Sequence, residues 1–193
     1  MIRILFITSN KAKFEWAERR LRKFGIQVEQ HPLDIPEPRE FEIETVAIAK
    51  AISAMKQVKS PFIVEDSGFQ VRALSNFPGS YMKLVQETIG AKGICSLMKG
   101  KKDRLVHFKS VLTYADKNRK IHLFTWDDVG KIPDTPKGNN LKGWSEFMQI
   151  FIPKGYKKTL AELDRKEFSE YERLTEIHDH YVKFAQWTLK NEQ

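Results

Sequence analysis

The feature that most limits what this chain can fold into is its opening alternation of short apolar runs with one helical period. Ile2–Thr8 is a short apolar run and reads as a buried strand. Ser9 and Asn10 suit the start of a helix, and Phe14, Ala17, Leu21 and Phe24 then recur at helical spacing until Gly25 stops them. Ile26–His31 reads as a second strand. Strand, helix, strand is how an α/β domain begins.

The same reading carries through the rest of the chain. Pro32–Arg39 is a proline-containing loop, and Ile43, Val46, Ala47, Ala51 and Ala54 mark a second amphipathic helix. Phe62–Val64 predicts a short strand that runs straight into Glu65-Asp66-Ser67-Gly68, and Phe77-Pro78-Gly79 predicts a turn. Helical patterns follow over Tyr81–Ile89 and Gly93–Met98. Val106, Phe108, Leu112 and Tyr114 share one period-2 phase, and with Ile121–Trp126 they predict a hairpin turning at Asp116–Arg119. Gly130–Gly143 reads as a loop and Phe147–Ile152 as a strand. Phe168, Tyr171, Leu174, Ile177, Tyr181 and Phe184 predict one long C-terminal helix. No repeat or linker divides the chain, so residues 1–193 are expected to form a single domain.

Composition narrows the partners. Lys and Arg number 33 against 25 Asp and Glu, a net charge of +8, which suits an anionic partner without choosing among nucleotide, nucleic acid and acidic membrane. The basic residues are dispersed, as solvated faces are. The one cysteine, Cys95, sits in the apolar pattern of Ile94, Leu97 and Met98 and reads as a small buried hydrophobe in a reducing compartment. The N-terminus lacks a signal-peptide layout and no stretch approaches the ~20 apolar residues of a membrane span, so a cytoplasmic protein is expected.

Two segments carry candidate chemistry. Adjacent carboxylates such as Glu65 and Asp66 are costly to hold together unless something positive lies beside them, and Mg²⁺ favours one or two carboxylates plus substrate phosphates. An aspartate-led turn beside a solvated glutamate would read the same way. Thr8, Ser9, Asn10 and Lys13 place small polar residues and a lysine where a helix begins. Helix N-termini attract phosphate, and a lysine there opposes the helix dipole unless an anion binds; a plain capping turn is the other reading. Glu37 stands between two prolines and Lys50 lies on the second helix; alone, these read as a surface turn and an exposed lysine. The five histidines show no zinc-ligand spacing, and His178-Asp179-His180 is expected within the long helix, with no catalytic part.

Together these motifs resemble the inosine triphosphate pyrophosphatase family, enzymes that hydrolyse non-canonical purine nucleoside triphosphates. Thr8-Ser9-Asn10, Lys13 and Glu15 look like its opening phosphate motif. Val64–Phe69, Ala73-Leu74 and Phe77–Tyr81 look like its central signature, and the likeness extends from Ile2 to Leu163. The resemblance implies an elongated α/β fold: a twisted mixed sheet with flanking helices and two lobes around a central cleft. It implies a homodimer, Mg²⁺ as cofactor, and cleavage of a nucleoside triphosphate to monophosphate and pyrophosphate. Carried over, Glu37, Glu65 and Asp66 would hold the metal, Asp66 and Glu65 would be the catalytic acids with Asp66 acting on the attacking water, and Thr8, Ser9, Asn10, Lys13, Lys50, Ser67 and Lys83 would contact the triphosphate.

The C-terminal half departs from the family pattern. Gly143-Trp144 is kept from the segment that shapes the base pocket, but the Asp-Pro after it is replaced by Ser145-Glu146, with a short insertion before Phe151-Ile152-Pro153-Lys154-Gly155. The family's late Ser-His-Arg is absent, and Arg173 is the candidate to replace its arginine. Base preference is therefore open. A pyrophosphatase for deoxy, modified or pyrimidine nucleotides, or a non-catalytic nucleotide- or nucleic-acid-binding relative, is the alternative. Glu65 and Asp66 argue against the binder, which gains nothing from acids beside phosphates unless a metal intervenes.

Overall fold

A computed structural model describes residues 2–36, 38–139 and 145–191. The chain divides into two compact units. The first comprises Met1–Asp66, Ser110–Trp126 and Glu176–Gln193, and the second Ser67–Lys109 and Asp127–Thr175. Among the described residues a mixed seven-stranded sheet runs in the order β2-β1-β3-β5-β6-β7, with β4 paired to β3. Its strands are β1 (Ile2–Phe6), β2 (Ile26–Gln30), β3 (Phe62–Val71), β4 (Phe77–Gly79), β5 (Leu105–Ala115), β6 (Ile121–Lys131) and β7 (Ile152–Pro153). The helices are α1 (Lys11–Arg22), α2 (Ile43–Met55), α3 (Met82–Thr88), α4 (Gly90–Leu97), α5 (Arg165–Glu176) and α6 (His180–Asn191).

In the first unit β1 runs parallel to β2 on one side and to β3 on the other. Its alternation places Ile4 and Phe6 in a core with Ala17 and Leu21 of α1, Tyr114 of β5, and Tyr181 and Phe184 of α6. Helix α1 stops where expected, since Gly25 has φ +71°, a conformation side chains resist. Beyond β1, Ile7 donates its N–H to the Ile63 carbonyl at 2.9 Å, and Gln30 Nε2 donates to the Thr8 carbonyl at 3.1 Å. The Thr8–Asn10 turn is thus fixed beside β3.

The second unit is built on an aromatic cluster. Phe69 packs its ring against Phe108, Phe147 and Phe151 at centroid distances of 5.5, 5.0 and 6.3 Å. Arg104 ties down this unit's backbone, donating to the carbonyls of Ile132, Met98 and Pro133 at 2.9, 3.0 and 2.5 Å. Cys95 is buried, as its apolar setting predicts, and its thiol reaches the Pro133 carbonyl at 3.6 Å. Among the described residues, no helix is long and apolar enough to cross a membrane.

Four expectations change. Strand β3 does not end at Val64 but continues to Val71, so Glu65 and Asp66 lie inside a strand. Phe77–Gly79 is a short strand, antiparallel to β3 and with a cis peptide before Pro78; the turn comes after it, where Tyr81 N–H meets the Pro78 carbonyl. Phe147–Ile152 is mostly a 3₁₀ turn over Glu146–Ile150, started by Ser145, whose Oγ accepts from Phe147 N–H at 3.1 Å. The long C-terminal helix is two helices. Asp179 starts the second: its carboxylate accepts from Tyr181 N–H at 2.7 Å and its carbonyl from Lys183 N–H at 3.0 Å, the pattern of a helix cap.

Candidate active site

The site is assembled in the first unit from the turn after β1, the start of α1, the middle of β3, one residue of α2 and the start of α6. Asn10 is the N-cap of α1, its Oδ1 accepting from Lys13 N–H at 3.2 Å, while its own N–H donates to Thr8 Oγ1 at 3.1 Å. The capping reading of this turn therefore holds. It also leaves a first helical turn with Lys11 and Lys13 and no acid, an electropositive end suited to an anion.

Consecutive residues of a strand point to opposite faces, and Glu65 and Asp66 have different partners accordingly. Lys13 Nζ lies 3.5 Å from Glu65 Oε1 and donates to the Glu65 carbonyl at 3.4 Å. Lys50 Nζ donates to Asp66 Oδ2 at 3.0 Å, and both side chains are mostly buried, at 19% and 15% exposed. The exposed-lysine reading of Lys50 is thus corrected: one turn of α2 aims it at β3.

Glu65 has the more enclosed carboxylate, only 6% exposed. The Tyr181 hydroxyl donates a short hydrogen bond to its Oε2, and His180 Nε2 is 3.7 Å from the same oxygen. Burial alone would raise the pKa of this carboxyl. The Lys13 charge, His180 and the Tyr181 hydrogen bond together outweigh burial and bring it down to about 2. The same contact and burial push the Tyr181 phenol well above its ordinary value.

Tyr181, His180 and Asp179 are what sequence reasoning missed. His180 stands at the start of a helix beside Glu65, not within one long helix. Its ring lies against Tyr181 at 4.3 Å and stacks on Trp126 at 6.3 Å, and neither of its nitrogens has a hydrogen-bond partner among the described residues. Asp179 is held by the Trp16 indole N–H at 3.4 Å and lies 3.6 Å from Arg20 Nε; Arg20 also pairs with Glu176 at 2.9 Å. Helix α1, which carries Lys13, is thereby locked to the start of α6, which carries Tyr181. An aspartate two residues before a run of apolar side chains was the available signal for the helix start; nothing local announces the contact from Tyr181 to Glu65.

The structure thus ties Thr8, Asn10 and Lys13 together at the start of α1, pairs Lys13 with Glu65 and Lys50 with Asp66, and leaves Ser9 exposed in the same turn as Thr8 and Asn10. Ser67, Lys83 and Arg173 belong to the second unit; Lys83 is exposed on α3 and Arg173 exposed on α5. Glu37, Gly143 and Trp144 lie outside the described residues. Among the described residues no three Asp, Glu, His or Cys side chains form a ready metal cluster.

Two adjacent acids of β3, one paired with Lys13 in the first turn of α1 and the other with Lys50 of α2, make a place that can hold a polyphosphate and present a carboxylate to it. Comparison with known proteins points the same way. The chain is 37% identical over 190 residues to the dITP/XTP pyrophosphatase of Thermococcus kodakarensis, covering 98% of this chain and 99% of the relative. It is 39% identical over 169 residues to that of Pyrococcus horikoshii, covering 86% and 87%. Among solved structures, a HAM1 protein from Coxiella burnetii matches with a TM-score of 0.82 at 21% identity, over 98% of this chain and 100% of that one. The Staphylococcus aureus Ham1 protein matches with a TM-score of 0.79 at 20% identity, over 99% and 100%; both likenesses are of fold. A model of the Ham1 family matches residues 4–173, and the chain belongs to that family.

Proposed function

We propose that this protein is a pyrophosphatase acting on non-canonical purine nucleoside triphosphates, releasing the nucleoside monophosphate and pyrophosphate. The observation that carries the reading is the pairing of Lys13 with Glu65 and Lys50 with Asp66 on one strand beside the α1 N-terminus. Near-full-length relatives named dITP/XTP pyrophosphatases support it.

The chemistry is that of a phosphoric anhydride. Water attacks the α-phosphorus, a P–O bond forms, the bond from that phosphorus to the α–β bridging oxygen breaks, and pyrophosphate leaves with the electron pair. Such transfers depend on positioning and on neutralising charge. In our reading Lys13, the Thr8–Asn10 turn and the α1 N-terminus bind phosphate oxygens. Asp66 orients the water and takes its proton, and Lys50 fixes Asp66 through Oδ2.

Mg²⁺ fits this donor set. Carboxylate oxygens are the hard ligands it prefers, and Asp66 already accepts a cationic partner at 3.0 Å. We assign the metal to Asp66 together with Glu37; when bound it would neutralise charge on the phosphate oxygens. Glu65, the third acid expected there, has committed its carboxylate to protein donors. The proposal extends to a cytoplasmic homodimer, and light scattering of the purified protein tests the dimer.

The experiment is a hydrolysis screen with Mg²⁺ over xanthosine, inosine, deoxyinosine, modified and standard triphosphates, with pyrophosphate and orthophosphate measured separately. Pyrophosphate from xanthosine and deoxyinosine triphosphates, well above the standard nucleotides, is expected. Orthophosphate alone, or no product from any, would refute the proposal.

A further inference from the structure

Glu65 occupies an unusual position for an acid in a metal-dependent site. It is 6% exposed, its Oε2 is taken by the Tyr181 hydroxyl, and its Oε1 and its own carbonyl both face Lys13 Nζ. The donor that holds it cannot turn away. Tyr181 is fully buried, its ring packs edge-on against Phe6 at 6.3 Å, and its N–H is bound to Asp179. Asp179 in turn is held by Trp16 and lies beside Arg20, whose guanidinium sits over the Trp16 ring at 4.4 Å. The carboxylate is therefore mounted on the rigid junction of α1 and α6. What it presents is directed at the flexible ammonium of Lys13.

A lysine has a long stem that loses rotamer entropy when its ammonium is fixed. Anchoring the stem before the ligand arrives reduces that cost at binding. Lys13 stays 24% exposed, so its ammonium is reachable while its direction is set.

We infer that Glu65 is a positioning residue that aims Lys13 at the triphosphate, held in place by Tyr181, and that it is not a ligand of the metal. The inference rests on the pyrophosphatase reading for the identity of the triphosphate. It goes beyond that reading in separating the roles of the two adjacent acids: Asp66 for metal and water, Glu65 for the lysine. It makes Tyr181 and Asp179, far from β3 in sequence, part of the phosphate-binding apparatus.

The test is a double-mutant cycle read as binding of α,β-methylene inosine triphosphate, with metal affinity as a second readout. Lys13→Met is expected to weaken analogue binding about 100-fold and Glu65→Gln about tenfold, and the double variant to be no weaker than Lys13→Met alone, because the second effect acts through Lys13. Mn²⁺ binding, followed by electron paramagnetic resonance, is expected to stay within about threefold of wild type in Glu65→Gln, less than the 10–100-fold that even outer-shell metal partners cost. Additive losses approaching 1,000-fold in the double variant, or a Mn²⁺ loss above tenfold in Glu65→Gln, would overturn the inference. Should Glu65→Gln fail to fold, Tyr181→Phe takes its place in the cycle. About a threefold loss that vanishes in the Lys13→Met background is expected, and a loss of equal size in both backgrounds overturns it. Because the cycle reads binding, a wild-type protein that binds the analogue but hydrolyses no triphosphate would refute the pyrophosphatase reading and leave the positioning result decided on its own.

Discussion

Asp128 and Tyr171 offer a quantitative check on how the second unit is held together. Tyr171 of α5 is buried and donates a short hydrogen bond to Asp128 Oδ2 on β6. Burial raises the Asp128 carboxyl from 3.8 to about 6, with the neighbouring Asp127 adding to the rise and the Tyr171 hydrogen bond opposing it. The sign follows from proton binding. Between pH 4 and pH 6 the folded state binds the proton that the unfolded chain has released, so this group's contribution to stability falls as pH rises through that window and is flat above it. A shift of about two units is worth roughly 3 kcal/mol, and partial solvent access reduces it to about 1–2 kcal/mol. Asp128→Asn keeps an oxygen to accept from Tyr171 and removes the charge. The variant should therefore be more stable than wild type at pH 7.5, by about 2–8 °C in melting temperature for a chain of this size. The difference should close towards pH 4.5. Thermal melts of both proteins at half-unit steps from pH 4 to pH 8 measure this, and subtracting one curve from the other cancels the remaining titrations. A variant less stable at pH 7.5, or a difference independent of pH, would refute the reasoning.

Other outcomes test the site and its supports. Asp66→Asn should lower turnover by at least about 10³-fold while the non-hydrolysable analogue still binds, since one group is removed from the reacting water and the lysines are kept; pyrophosphate release and calorimetry read the two separately. Arg104→Ala removes one donor from each of three backbone carbonyls and should cost about 2–3 kcal/mol in urea unfolding. Phe69→Ala, at a fully buried position in the aromatic cluster, should cost about 3–5 kcal/mol in the same assay.

Local chemistry made much of this fold readable. The strand, helix and strand of residues 2–30 follow from apolar runs, a helical period and Gly25, and they stand as expected. The acid pair and the lysine-bearing turn were legible because charged residues at the end of an apolar run require explanation. The rest was hidden for identifiable reasons. The apolar spacing from Phe168 to Phe184 keeps helical phase across Ile177–Asp179, so periodicity alone joined α5 to α6, and only the capping by Asp179 separates them. Ser67-Gly68 resembles a turn, yet pairing with β4 carries β3 on to Val71, and tertiary pairing overrides local preference there. Glu65 and Tyr181 are 116 residues apart, and neither residue by itself signals the other.

The most direct test of the central claim is where the oxygen of water ends up. Hydrolysis of xanthosine triphosphate in ¹⁸O-labelled water, with products separated and weighed by mass spectrometry, reports the atom attacked. We predict one ¹⁸O in the nucleoside monophosphate and none in the pyrophosphate. Label in the pyrophosphate, or orthophosphate as the labelled product, would contradict attack at the α-phosphorus and the account built on it.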